Sequence, residues 1–208
     1  DGGLLTASNL AVMGLMHMDG GTGLLSGQLT LGNNAGQTSV LTVDGAGAVL
    51  QLTNAAASVA GLFVGNNGRA TLIVSNGMVE SGTLYVPLGS GTGTLRVAGG
   101  TVISRSSFIV GNVGPGEFEL SDGIMETMGS VVLGQSGSST SRISGGSWHQ
   151  HGGFTLNAGS VFEQSGGVIS NSSTTARSYG GNTELSGGKH ILDGGGHVSM
   201  LGTFTLAN

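Results

Sequence analysis

The most constraining feature of the chain is a period. Glycines that close short apolar alternations fall at Gly77, Gly100, Gly123, Gly146, Gly167 and Gly188, so the step is 23 three times and then 21 twice. The segments before them read TLIVSNG, TLRVAGG, EFELSDG, SRISGG, FEQSGG and TELSGG. A second alternation lies upstream of each, as in LFVGNNG, LYVPLGSG, FIVGNVG, VVLGQSG and FTLNAG, and a third follows, as in MVES, TVIS, IMET and SWHQ. Each repeat therefore carries three short strands, separated by Gly, Asn and Ser turns. A strand that short buries no face alone, and stacking successive repeats solves the problem.

Composition supports a packed chain. Glycine is 43 of 208 residues and charged residues are 8%, against about 7% and about 25% in an average protein. Disorder goes with low hydrophobicity and high charge, whereas 38% of this chain is hydrophobic. Two prolines exclude collagen and Pro-rich linkers. Helical periodicity is absent, and so much glycine would destabilise helices. The absence of Cys rules out disulfides and thiolate metal sites. A net charge of −5 with six scattered basic residues argues against nucleic acid and anionic membrane surfaces. No apolar run approaches the ~18 residues of a spanning helix. The chain starts at Asp1 and stops on the alternation GTFTLAN, which reads as a mature product or a fragment.

Stacked parallel coils place equivalent residues in columns about 4.8 Å apart. Counted from each glycine, position −3 reads Val74, Val97, Leu120, Ile143, Gln164, Leu185. Position −5 reads Leu72, Leu95, Phe118, Ser141, Phe162, Thr183, and position +2 reads Val79, Val102, Met125, Trp148, Ile169, His190. These mainly apolar columns point inward. Position −2 is small: Ser75, Ala98, Ser121, Ser144, Ser165, Ser186. The pattern is cleanest over 62–168 and decays near NSSTTARSYGG. The N-terminal third is a longer variant, in which LTLGNNAG matches LFVGNNG and the step from Leu31 to Val64 is 33. Its surplus contains one more alternation, Val49 to Leu52, read as an enlarged coil or an additional strand. The Met-rich segment with Met13, Met16 and Met18 reads either as a cover for the first coil or as plain core.

The stretch LTVDGAGAVLQLTN followed by GLFVGNNGRATLIVSNGMVESGTLYV resembles the repeats of type V secreted autotransporter passenger domains, with related repeats in bacterial surface proteins carrying PEP-type sorting signals. The resemblance covers about 29–167 and more weakly the rest. It implies a right-handed helix, secretion from a Gram-negative-type bacterium and presentation at the cell surface. The expected fold is all-β: a single-stranded right-handed parallel β-helix (β-solenoid). Repeats of this length imply about nine coils, each of about 23 residues with three short strands. The fold is one continuous domain, with irregular first coils in 1–28, regular coils in 29–170 and less regular coils in 171–208.

The rare charges fall into the same frame. Position −4 points outward and reads Ile73, Arg96, Glu119, Arg142, Glu163, Glu184. Arg96, Glu119, Arg142 and Glu163 alternate in sign, which predicts a structural ladder of ion pairs between coils. Each exposed pair is worth only about 0–1 kcal/mol, so the larger effect is on register. Glu117, Glu119, Asp122 and Glu126 form the densest acidic group. Paired carboxylates cleave glycosides, but Glu119 already has an arginine on each side, and no catalytic residues are expected.

His149 and His151 in SWHQHGG share one side of a strand, with Glu126 one coil before His149. That set is the candidate metal site, weighed against a polar surface patch over an inward Trp148. His17, His190 and His197 are isolated. GNNG and GNNAG lack the following helix of a phosphate loop and read as turns. DGGLL and DGGGH have too few acidic oxygens for calcium. No cofactor is expected. Outward apolar residues (Ile73, Tyr85, Ile103, Ile109, Ile124 and Val132) mark a lateral interaction patch, and open sheet edges at the two ends template further pairing.

The expected function is that of an extracellular structural or adhesive segment of a bacterial surface or secreted protein, without catalysis. Its partners would be another copy of itself, end to end or lateral, or cell-surface glycans or proteins. The alternatives are a self-assembling surface filament subunit and a polysaccharide-binding or polysaccharide-cleaving β-helix. The second needs an aromatic groove, and aromatics are 4% of the chain.

Overall fold

A chain of short strands and glycine corners has one economical way to bury its apolar positions, which is to wind. The computed structural model describes residues 2–53, 61–172, 177–192, 198–200 and 204–206. Among these the regular elements are strands, paired in parallel and wound as a β-solenoid. The chain visits three faces in fixed rotation. The first face carries Thr38–Val43, Arg69–Val74, Ser139–Ile143 and the leading parts of Thr92–Ser104 and Gly116–Thr127. The second carries Val49–Leu52, Met78–Ser81, Ser147–Gln150 and the trailing parts of the same two long strands. The third stacks nine short strands in chain order, from Leu10–Val12 to Val198–Met200. In the long strands the first two faces join through register shifts near Ala98.

The expected columns are the observed register. Val74, Val97, Leu120, Ile143, Gln164 and Leu185 pair in succession. So do Leu72, Leu95, Phe118, Ser141, Phe162 and Thr183 on the first face, and Val79, Val102, Met125, Trp148, Ile169 and His190 on the second. The apolar members with described side chains are fully buried. In the middle coils the core turns aromatic. Trp148 is ringed by Phe108, Phe118, Phe154 and Phe162 at centroid distances of 6.0, 5.1, 6.2 and 6.4 Å, mostly edge to face, the favoured geometry for such pairs. The indole Nε1 donates to Thr127 Oγ1 at 3.3 Å.

Two polar intrusions are handled differently. Gln164 in the −3 column turns its Nε2 onto the carbonyls of Gly166 and Gly167, at 3.2 and 3.5 Å. A further inward column, not foreseen from sequence, is polar over five successive coils between Leu52 and Leu192: Ser81, Ser104, Thr127, Gln150 and Asn171 are all buried. Asn171 Nδ2 donates to Gln150 Oε1 at 2.8 Å, and Ser104 Oγ to the Ser107 carbonyl at 3.0 Å. From Ser104 to Asn171 the stack finds partners along the axis and in its own turns, as buried polar groups generally do, while the Ser81 hydroxyl has none.

Four coils turn the corner that follows the third face on a left-handed glycine, whereas Pro87 and Asn157 hold the equivalent place in two others. Gly32, Gly65, Gly111 and Gly134 stand in one column with φ of 60°, 87°, 75° and 75°, a region where L side chains are strained. A Cβ on Gly111 would also lie 2.3 Å from the Ser138 carbonyl oxygen.

The structure decides between the readings left open for the N-terminal third. Leu4–Ala7, Leu10–Val12 and Leu15–Met18 pair into the second, third and first faces, so this segment is wound as a coil. Met18 and the half-buried Met16 point inward, while Met13 is exposed. In the long coil, Leu31 pairs with Val64 as expected. Val49–Leu52 is not an additional strand. It pairs with Thr22–Leu25 and Met78–Ser81 and is the ordinary second-face strand. Most of the surplus is chain length between Leu52 and Gly61, eight residues against one between Ser81 and Thr83, and residues 54–60 fall outside the described part. The DGGGH stretch with His197 also lies outside the described residues, as does part of NSSTTARSYGG.

Candidate functional site

The outward chemistry of the solenoid is concentrated in its charged columns. On the first face, Ile73, Arg96, Glu119, Arg142, Glu163 and Glu184 succeed one another in register. Arg96 Nε lies 2.8 Å from Glu119 Oε2, and Arg142 Nε lies 2.9 Å from Glu163 Oε2. The remaining rung departs from a simple ladder. Glu119 and Arg142 are register neighbours, but the second arm of Arg142 reaches Glu117, with Nη1 at 2.9 Å from Oε1. Glu163 and Glu184 stand side by side as like charges. Glu119, Ser121, Arg142, Ser144, Glu163 and Glu184 line a shallow open groove of about 550 Å³.

The Glu117–Arg142 contact is diagonal, a step of 25 along the chain rather than 23. Cross-strand diagonals lie about 7–8 Å apart between Cα atoms, within reach of long side chains. The same step recurs on the second face. Glu80 is almost wholly buried, and its carboxylate accepts from Arg105 Nε and from Gln51 Nε2, the latter at 3.3 Å. The hydrogen bond and the charge of Glu80 hold the Arg105 guanidinium above its ordinary pKa. Two coils later, Glu126 Oε1 meets His151 Nε2 at 3.3 Å. Column arithmetic at a step of 23 does not find these pairs, whereas a search for an acid followed by a base at 25 finds all three.

The candidate metal residues are placed as follows. His149 is the register partner of Glu126, but its Nδ1 pairs with Ser170 Oγ at 2.9 Å. His151 is exposed, with Nδ1 3.2 Å from Ser172 Oγ and Nε2 towards Glu126. Each imidazole is thus turned onto a serine of the next coil. Among the described residues no three His, Asp or Glu side chains gather as metal ligands, and the three candidates form a polar surface network.

The apolar residues expected to face outward do not make one patch, and Ile109 among them is buried. Ile73 lies on the first face, and Ile103 and Ile124 on the second. Tyr85, Ile109 and Val132 stack on the third, in line with Phe63, whose ring sits 5.7 Å from that of Tyr85. Among the described residues no helix is long and apolar enough to cross a membrane. No known family, curated protein or solved structure matches the chain.

Proposed function

We propose that the chain is an extracellular structural or adhesive β-solenoid segment of a bacterial surface or secreted protein, working through its shape and outer columns without catalysis. The observation that carries this reading is the continuity of register. The same three faces recur from Leu4–Ala7 to Phe204–Leu206, and the outward charges between Glu80 and Glu163 tie one coil to the next. Such a rod transmits position along its axis and presents fixed rows of side chains. The resemblance of 29–167 to autotransporter passenger repeats supports the surface location.

The test is immunogold labelling and protease shaving of intact cells of the encoding bacterium, with beads coated in the purified chain as the adhesion probe. Labelling outside the cell and specific bead capture are expected. Antigen confined to the cytosol would overturn the location. Release of reducing sugar from polysaccharides by the purified chain would overturn the absence of catalysis.

A further inference from the structure

The outer column of the first face has a symmetry that its own coils do not use. In the order Arg96, Glu119, Arg142, Glu163 the signs alternate over an even number of coils. Reversing the order therefore exchanges plus and minus. Consider two copies packed face to face with antiparallel axes, related by a two-fold axis along the strand direction. Each column then meets itself with coil order reversed.

In that arrangement Arg96 faces Glu163 of the second copy, Glu119 faces Arg142, and Ile73 faces Glu184. No like charges meet along this column. The flanking outward positions fit as well: Thr94 faces Val161, Glu117 faces Thr140, and Ser121 faces Ser144. A parallel pairing would set Arg96 against Arg96 and Glu119 against Glu119, which is repulsive.

We propose that the first face is a self-complementary docking surface, through which two copies of this chain associate antiparallel about an axis between the coils of Glu119 and Arg142. Such an interface is isologous, with one patch serving both partners. The charges stand at the surface, the Arg96 and Arg142 side chains being 50% and 47% exposed. They can therefore acquire a partner across the interface while keeping the one within the chain, giving a checkerboard. Stacked coils at ~4.8 Å and strand residues at ~3.3 Å give the first face roughly 480 Å² per copy over the column from Ile73 to Glu184. That is below the ~800 Å² of a standard interface, so the association is weak and set by complementary charge. The inference concerns the isolated chain in solution, and its failure would leave the proposed surface role standing.

Sedimentation equilibrium of the full chain up to about 1 mM tests it. A monomer–dimer equilibrium is expected at low salt, weakened at least tenfold by about 0.5 M NaCl as screening shortens the reach of the charges. Arg142→Glu should weaken it at least tenfold without changing the circular dichroism spectrum. The full reversal R96E/E117K/E119R/R142E/E163R keeps every pairing within the chain and across the interface. It should dimerise with itself and not with the wild type. The chain has no cysteine, so a nitroxide on T71C reports orientation. Five coil spacings place the two labels ~25–30 Å apart if antiparallel, and ~10–15 Å if parallel. A monomer at the highest concentration in low salt, a dimer indifferent to Arg142→Glu, or the short label distance would each overturn the proposal.

Discussion

Trp148→Ala removes the keystone of the aromatic core. The side chain is fully buried and contacts four phenylalanine rings drawn from the first and third faces. Truncating a core Trp to Ala costs about 3–5 kcal/mol. The rings around Trp148 are fixed by ladders on both sides and have little room to collapse, and each lost ring pair adds about 0.5–1.5 kcal/mol beyond area. The expected cost is therefore at the top of that range, about 5 kcal/mol. Trp148→Phe keeps most of the ring contacts and loses the hydrogen bond to Thr127, worth about 1 kcal/mol, so about 1–2 kcal/mol is expected. Guanidinium unfolding followed by circular dichroism measures both, since this is the chain's one tryptophan and fluorescence is lost with it. The location of the damage is equally specific. Each coil contacts mainly its neighbours, so stability is nearly a sum of local terms. Hydrogen exchange should accelerate in Phe108–Val110, Ser139–Ile143 and Phe154–Leu156 and stay unchanged in Thr38–Val43. A cost below about 2 kcal/mol, well under the range for a buried Trp, would refute this reasoning. So would uniformly faster exchange along the rod.

Three further outcomes rest on particular contacts. Arg105→Ala leaves the nearly buried Glu80 carboxylate with only Gln51 and should destabilise by about 1–3 kcal/mol; the double variant E80Q/R105M should recover most of that loss, as read by thermal melting. Ser141 Oγ is buried between Phe118 and Phe162 without a hydrogen-bond partner, so Ser141→Ala should stabilise by about 1 kcal/mol, and a loss of stability in urea unfolding would count against it. Gly36 and Gly111 share a left-handed backbone (φ 80° and 75°), but a Cβ meets nothing within 4 Å at Gly36 and a carbonyl oxygen at 2.3 Å at Gly111. Gly36→Ala should therefore cost about 1 kcal/mol of backbone strain and Gly111→Ala at least twice as much, with equal losses arguing against the close approach.

The inward columns are legible in the sequence because a parallel ladder preserves sequence order. A period of 23 with alternation of 2 specifies which residues share a row, and Val74, Val97, Leu120 and Ile143 need nothing more. The limits of that reading are physical. A long side chain does not stay in its own row, so Arg142 reaches Glu117 as well as Glu163, and Arg105 closes on Glu80 along a diagonal. A serine or glutamine is ambiguous between core and surface. The column Ser81, Ser104, Thr127, Gln150, Asn171 is buried, and the local bonds that permit this leave no mark on a hydropathy pattern. The metal reading of His149, His151 and Glu126 rests on proximity, and the hydroxyls of Ser170 and Ser172 in the next coil take up the Nδ1 atom of each imidazole. The outward apolar residues form one set only until the rotation of the faces divides them.

The uneven coil has a wider consequence. Leu31 pairs with Val64 at a step of 33, while Tyr85 pairs with Ile109 in the same stack at a step of 24. The ladder therefore fixes which residues meet and leaves the length of chain between meetings free. Loop closure is a slowly growing cost, about 0.6 kcal/mol for each doubling, against several buried side chains per coil. The length of chain between Leu52 and Gly61 can thus change while the described columns on either side keep their partners. A lineage built on this scaffold can lengthen or shorten one coil without rebuilding its neighbours.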